Sequence, residues 1–317
     1  MSRQAPGPGG LVIVDKPAGM TSHDVVARVR RLARTRRVGH GGTLDPMATG
    51  VLVVGVERAT RLLTYVIGST KRYSATIRLG QTTVTDDAEG EVTGGASAAL
   101  VTEDRVRTEL ARLTGEIEQV PSAVSAIKVD GRRAYARVRA GEDVTLAARK
   151  VTVYRLDLGA FRPASSGPAG DGPAGDGPLD GPLDGLLDLD VDVECSSGTY
   201  IRAIARDLGA TLGVGGHLTA LRRTAVGAFT LAEAVPLDRL AELADPVTMP
   251  LPAAAARFFP RRDATPDEAR VLGHGGPLKA VGMDGPYAVF GPDGDVIAVV
   301  SERGGRAKAE IVLSPSG

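Results

Sequence analysis

The densest concentration of chemically capable residues lies between Val38 and Gly50, in the run VGHGGTLDPMATG. It holds one carboxylate, Asp45, one imidazole, His40, and the glycines Gly39, Gly41, Gly42 and Gly50. Pro46 pushes the backbone of Asp45 out of the α region, and the glycines permit a tightly turned loop. A carboxylate displayed from such a loop, just before the apolar run Val51 to Val56, can project into a cleft. Ionised, it can attack an electrophilic carbon or stabilise a developing cation. Taken alone, an Asp-Pro reads first as a turn cap and a single His as a structural hydrogen-bonder, so both readings stand at this point. Other reaction signatures are missing: there is no Walker A loop, GxSxG elbow, HExxH or EF-hand loop. Cys195 is alone, and His23, His40, His217 and His274 are scattered. A disulfide scaffold, an iron-sulfur cluster and a zinc site are not expected, and neither is any other metal or cofactor.

Behind this loop the spacing predicts a helix capped by Ser22, with Val25, Val26, Val29, Leu32 and Ala33 on one face and the arginines outward. Further helices are expected at Ala59 to Val66, Glu103 to Leu113, Tyr200 to Leu212 and Ala232 to Leu243. Another is expected at Pro266 to Leu272, with Thr265 as cap. Strands are expected at Leu11 to Asp15, Val51 to Val56, Tyr73 to Leu79, Lys150 to Leu158, Asp188 to Cys195, Tyr287 to Phe290 and Val296 to Val300. Without regular βαβ alternation, the order implies an α+β fold with a mixed, mainly antiparallel sheet.

The 317 residues carry 38 Lys plus Arg against 38 Asp plus Glu. The zero sum conceals segregation. Pro163 to Glu194 holds eight acids and no base, which leaves the remaining chain at +8. Within it, residues 167–185 repeat Gly-Pro units with regular negative charge, the composition of a loosely ordered surface insertion. Six arginines fall between Arg28 and Arg37 with no acid. Such a run is either a solvated helix face or a phosphate-binding surface. No apolar run approaches the ~20 residues of a membrane span, so no membrane partner is expected and a cytoplasmic protein is. Pro246, Pro250 and Pro252 mark an expected boundary. The organisation expected is a disordered N-terminus at 1–9, a main domain at 10–245 interrupted at 163–187, and a small β-rich module at 246–317.

Read together with GLVIVDKPAGMTS (10–22), KRYSATIRLGQ (71–81), VPSAVSAIKVDGRRAY (120–135), CSSGTYIRAIARDLG (195–209) and HLTALRRTAVG (217–227), the Asp45 motif resembles the TruB family of tRNA pseudouridine synthases. The resemblance runs in order from about Gly10 to Gly227. It implies isomerisation of the T-loop uridine at tRNA position 55, without cofactor, on the pseudouridine synthase fold with a C-terminal PUA-like RNA-binding domain. On this resemblance Asp45 is the catalytic carboxylate and Arg202 the arginine paired with it. Tyr73 is the tyrosine that packs on the uracil and the candidate for taking the C5 proton. Leu221 lies beneath the base, Lys128 supports the site, and His40 enters the T-loop to fill the space left by the flipped nucleotides. Arg30, Arg31, Arg34, Arg36 and Arg37 then become phosphate contacts, while Lys16 and Pro17 hold the first motif's loop.

Some features depart from the family pattern. The acidic repeat is foreign to it, Gly41 and Met47 stand where Thr and Leu are commoner, and Val84 replaces an Asp, which leaves that position without a polar role. The partner expected is tRNA, through its T-loop and stem, with the protein a monomer and no obligatory protein partner. The rival reading is an RNA-binding, tRNA-folding chaperone with secondary or lost catalysis. A small-sugar glycosidase ranks last, since it would ordinarily need a second carboxylate.

Overall fold

The structure, a computed structural model, describes residues 9–122, 128–129, 132–133, 146–165 and 182–314. The expected disorder at 1–9 therefore lies almost wholly outside the described residues. The chain divides into two compact units, Met1–Gly68 with Ala225–Gly317, and Ser69–Thr224.

In the first unit, strand β1 (Gly9–Lys16) is apolar on both faces because both are buried. It is followed by helix α1 (Ser22–Leu32), strand β2 (Val38–His40) and strand β3 (Thr49–Glu57). β1 and β3 pair antiparallel from Gly9 opposite Glu57 to Lys16 opposite Gly50. This register sets the end of β1 beside the segment that carries Asp45. The cap of α1 differs from the expectation: Thr21, not Ser22, is the N-cap. Thr21 forms a capping box with Asp24, and Ser22 is the first helical residue. The helix expected at Ala59 to Val66 is a 3-10 turn at Arg58–Leu62 leading into α2 (Leu63–Gly68).

The second unit contains β4 (Lys71–Leu79), β5 (Thr82–Thr83), β6 (Val92–Gly94), α3 (Glu103–Arg112), β7 (Gly115–Gln119), β8 (Lys128–Val129), β9 (Arg132–Arg133), β10 (Arg149–Ser165), β11 (Pro182–Cys195), α4 (Ile201–Leu212) and β12 (Gly216–Val226). Its sheet runs β12-β4-β11-β10-β7. The β10–β11 hairpin is longer than the sequence suggests, with Ser165 opposite Pro182. Two of the three register shifts in the hairpin fall beside Gly159 and Pro163, residues that read as strand breakers, and the third lies between Val153 and Arg155. Residues 166–181, the core of the acidic repeat, lie outside the described residues. Five of the eight acids in 163–194 lie on β11, four of them on the strand expected at Asp188 to Cys195, and three of those four take partners across the sheet. Asp188 accepts two hydrogen bonds of 2.8 Å from Arg78, Asp190 pairs with Arg162 and Thr76, and Asp192 accepts from Ser74 at 2.6 Å.

The chain then returns to the first unit through β13 (Phe229–Thr230), β14 (Val235–Pro236), α5 (Leu237–Leu240), β15 (Met249–Pro250), α6 (Leu251–Phe258), β16 (Arg261–Asp263), α7 (Pro266–Gly273), β17 (Leu278–Lys279), β18 (Tyr287–Phe290), β19 (Val296–Arg303) and β20 (Arg306–Val312). The single helix expected at Ala232 to Leu243 is broken because Val235 and Pro236 pair in parallel with Val14 and Asp15. Pro236 has no N–H to offer a helix interior. The prolines near 250 start a helix: Pro250 is its N-cap and Pro252 lies in its first turn. Leu251, Ala254 and Ala255 of α6 share one core with Leu11, Ile13 and Val53 and with Phe290 and Val299. The last strands form a sheet ordered β16-β18-β19-β20-β17. Thr265 caps α7 with a complete capping box, as the spacing predicts.

Candidate active site

Asp45 lies in the loop between β2 and β3, half-buried. Both of its neighbours are held by groups from the β1–α1 corner. The hydroxyl of Ser22 accepts from Leu44 N at 2.8 Å and donates to Leu44 O at 3.1 Å. The buried Lys16 ammonium donates to Pro46 O at 3.1 Å, and also to Pro17 O at 2.8 Å and Met20 O at 2.7 Å. Gly19 N adds a 2.9 Å bond to Pro46 O, and Ala48 N closes the turn onto Asp45 O at 3.1 Å. The carboxylate thus projects from a backbone fixed at the residues before and after it. Lys16 holds the loop, as expected. Ser22, read as a helix cap, has a different use, which local spacing cannot reveal because its partner lies 22 residues away.

Gly41 N bonds Val53 O at 2.8 Å, and a Cβ on Gly41 would meet Val66 Cγ1 at 2.4 Å. Glycine therefore suits this packing, since a Cβ would have to displace Val66. His40 ends β2, and its ring meets that of His23, in the first turn of α1, edge to face with centres 5.4 Å apart. The arginine run is only partly helical. α1 ends at Leu32, Arg34 adopts a left-handed φ of 51°, and Thr35 N returns to Arg30 O. Arg34, Arg36 and Arg37 therefore stand on an exposed turn after the helix, a correction to the basic helix read from the sequence. Arg37 lies 3.8 Å from Glu57, a loose pair that leaves its guanidinium largely in solvent.

In the second unit, Tyr73 is buried on β4, opposite Val193 of β11. Lys71, two residues earlier and on the same face, is buried as well, and donates to Ser69 O at 2.7 Å. Burial, with the Arg223 charge nearby, pulls its ammonium down to about 8. Cys195, opposite Lys71, has its thiol pushed up to about 11 by burial, so it is no nucleophile at neutral pH. Arg202 stands in the first turn of α4 and is buried rather than solvated. Its Nη1 donates to Thr85 O at 2.7 Å, and its Nε lies 3.5 Å from Oδ2 of buried Asp87. Oδ1 of Asp87 accepts from Thr85 Oγ1 at 2.5 Å and Glu89 N at 3.1 Å. Sequence reasoning passed over Asp87. The TDD run contained it, but only the fold shows which of the two acids faces the arginine.

One turn along α4, Arg206 reaches Asp86 at 3.3 Å and Val120 O at 2.7 Å. Gln119 grips both the N–H and the C=O of Tyr200 at 2.8 and 3.0 Å, which fixes the start of α4. Leu221 is buried on β12. Lys128 falls in β8, opposite Arg133, and its side chain lies outside the described residues. Among the described residues no three His, Cys, Asp or Glu side chains are grouped to hold a metal, and no helix is long and apolar enough to cross a membrane.

Comparison with known proteins gives consistent matches along the chain. Residues 30–201 match the TruB family pseudouridylate synthase N-terminal domain. Residues 202–247 match the tRNA pseudouridylate synthase B C-terminal domain, and residues 259–314 the tRNA pseudouridine synthase II C-terminal domain. The tRNA pseudouridine synthase B of Arthrobacter sp. (strain FB24) is 56% identical, covering 97% of each chain. That of Mycobacterium ulcerans (strain Agy99) is 52% identical over 100% of this chain and 99% of its own. Among solved structures, the chain is similar to a Cbf5-Nop10-Gar1 complex at a TM-score of 0.67 and 23% identity, covering 96% of this chain and 85% of that one. It is also similar to an H/ACA RNP bound to a substrate RNA containing 2'-deoxyuridine, at 0.66 and 22%, covering 97% and 86%. At that identity the likeness concerns the fold.

Proposed function

The chain belongs to the TruB family of pseudouridylate synthases, and from that premise we propose that it converts uridine 55 in the T-loop of tRNA to pseudouridine through Asp45. The reaction breaks the bond from ribose C1' to uracil N1, turns the base, and rejoins C1' to C5. The C5 proton departs and N1 gains one. Atoms are conserved and no electrons are transferred, so a carboxylate and a proton acceptor suffice, without cofactor. The observation that carries this reading is the double anchoring of Leu44 and Pro46 around Asp45. A carboxylate held before substrate arrives need not reorganise during the reaction.

In this reading Arg202 is the arginine that pairs with the catalytic carboxylate. Tyr73 stacks on the uracil and takes the C5 proton. Leu221 offers an apolar floor, and Lys128 supports the site. The target base must leave its stack, at a cost of a few kcal/mol. His40 fills the space it vacates, and Arg34, Arg36 and Arg37 hold phosphates. The β-rich C-terminal module, at 246–317, acts as a PUA-like RNA-binding domain beside a catalytic part at 10–245. The protein works as a cytoplasmic monomer without an obligatory protein partner.

The test is Asp45→Asn, assayed for T-loop pseudouridine and for tRNA binding. Retained binding with modification abolished is the expected result. Modification at the wild-type rate would remove Asp45 from the mechanism, and a wild type that binds tRNA yet forms no pseudouridine would favour the tRNA-folding chaperone.

A further inference from the structure

Two consecutive residues at the start of α1 reach two points of the Asp45 motif, both ahead of the carboxylate. Ser22 grips Leu44 through both of its backbone groups, and His23 sets its ring against His40, with centres 5.4 Å apart and planes at 80°. That geometry lies within the 4.5–7 Å range in which edge-to-face ring pairs attract. The start of α1 is itself rigid. Thr21 Oγ1 accepts from Asp24 N at 3.1 Å, and the Asp24 carboxylate accepts from Thr21 N at 2.9 Å. His23 is therefore an exposed side chain on a fixed base, whereas His40 ends a strand of three residues. An imidazole that must enter an RNA loop in one orientation gains from a partner that removes its other rotamers beforehand.

We propose that His23 is a positioning residue for His40, holding its ring in the orientation in which it enters the T-loop. The inference rests on the reading that His40 engages the RNA. His23 makes no contribution to the isomerisation step itself; its effect is on the affinity with which tRNA is captured.

The experiment is a double-mutant cycle of His23→Ala and His40→Ala, with His23→Phe alongside. It reads tRNA dissociation constants, single-turnover pseudouridine formation and melting temperature. Expected are a dissociation constant raised about 3- to 10-fold by His23→Ala, an unchanged saturating rate and an unchanged melting temperature. His23→Phe, which keeps a ring edge and face, stays within about 2-fold of wild type. The double variant is no worse than His40→Ala, because His23 acts only through His40. Wild-type affinity in His23→Ala with a weakened His40→Ala overturns the role of His23, as do effects that multiply in the double variant. Wild-type affinity in His40→Ala overturns instead the reading of His40 as an RNA contact.

Discussion

The Ser22 hydroxyl bridges the N–H and C=O of Leu44, accepting at 2.8 Å and donating at 3.1 Å, so a residue of α1 fixes the peptide units on both sides of Leu44, the second of them shared with Asp45. Ser22→Ala leaves a buried N–H and C=O unsatisfied at once. Each such group costs ~1–3 kcal/mol, and relaxation of the loop recovers part of that. We expect a loss of about 2 kcal/mol in denaturant unfolding. The rate of pseudouridine formation should fall by at least about tenfold with tRNA affinity nearly intact. An unaltered rate in a destabilised protein would show that Asp45 keeps its place without this clamp.

Asp87 holds the Arg202 guanidinium from one side while Thr85 O holds it from another. Asp87→Asn preserves shape but removes the charge, and its amide can present a donor toward the arginine. A misplacement of about 1 Å in a reacting constellation costs roughly 10²-fold in rate. The expected result is a rate loss of that order under single turnover, with tRNA binding within about 3-fold. A variant with full rate would mean that Arg202 is placed by other contacts.

How much of this was legible beforehand follows from where each hydrogen bond ends. Asp45, Tyr73, Arg202 and Leu221 sit in motifs that could be read directly, and β18 and the Thr265 cap follow from period and local capping. Ser22 could not be read correctly, because Thr21 competes for the same cap at one residue's remove, and the tie-breaker is a loop 22 residues on. The acids of β11 are a different case: alternation with Leu189, Val191 and Val193 places Asp188 to Cys195 on a strand, and the fold adds the cross-strand neighbours Ser74, Thr76 and Arg78 that Asp192, Asp190 and Asp188 meet. The arginine run has the composition of one helix face, but α1 ends at Leu32 and the left-handed backbone of Arg34 turns the chain away from it.

Lys71 gives a pH signature. Its ammonium, ordinarily near 10.5, is drawn down to about 8 by burial and by Arg223. Between these values the unfolded chain binds more protons than the folded one, so stability rises with pH. The penalty is complete below about 8 and relieved as pH climbs toward 10.5. Cys195 opposes this above about 9, where an unfolded thiol ionises and the folded one, held up to about 11, does not. Comparison of wild type with Lys71→Met between pH 7.5 and 9 isolates the lysine. The variant's advantage should shrink by roughly 1 kcal/mol across that interval. A constant difference would place the lysine in a more solvated setting than its burial indicates.

The arginines beyond α1 present the sharpest electrostatic test. Arg34 and Arg36 are exposed on a turn that opens directly into β2 and His40, and neither has a carboxylate within salt-bridge distance among the described residues. If each neutralises one tRNA phosphate, binding releases a counterion per contact. The slope of log affinity against log salt then falls by about 0.7–0.9 for each arginine removed. Arg34→Ala with Arg36→Ala should therefore flatten that slope by roughly 1.5 and weaken binding most at low salt. Because the turn packs little apolar surface, the melting temperature should hold. An unchanged slope with unchanged melting would return these two side chains to the solvated face that the bare sequence also allowed.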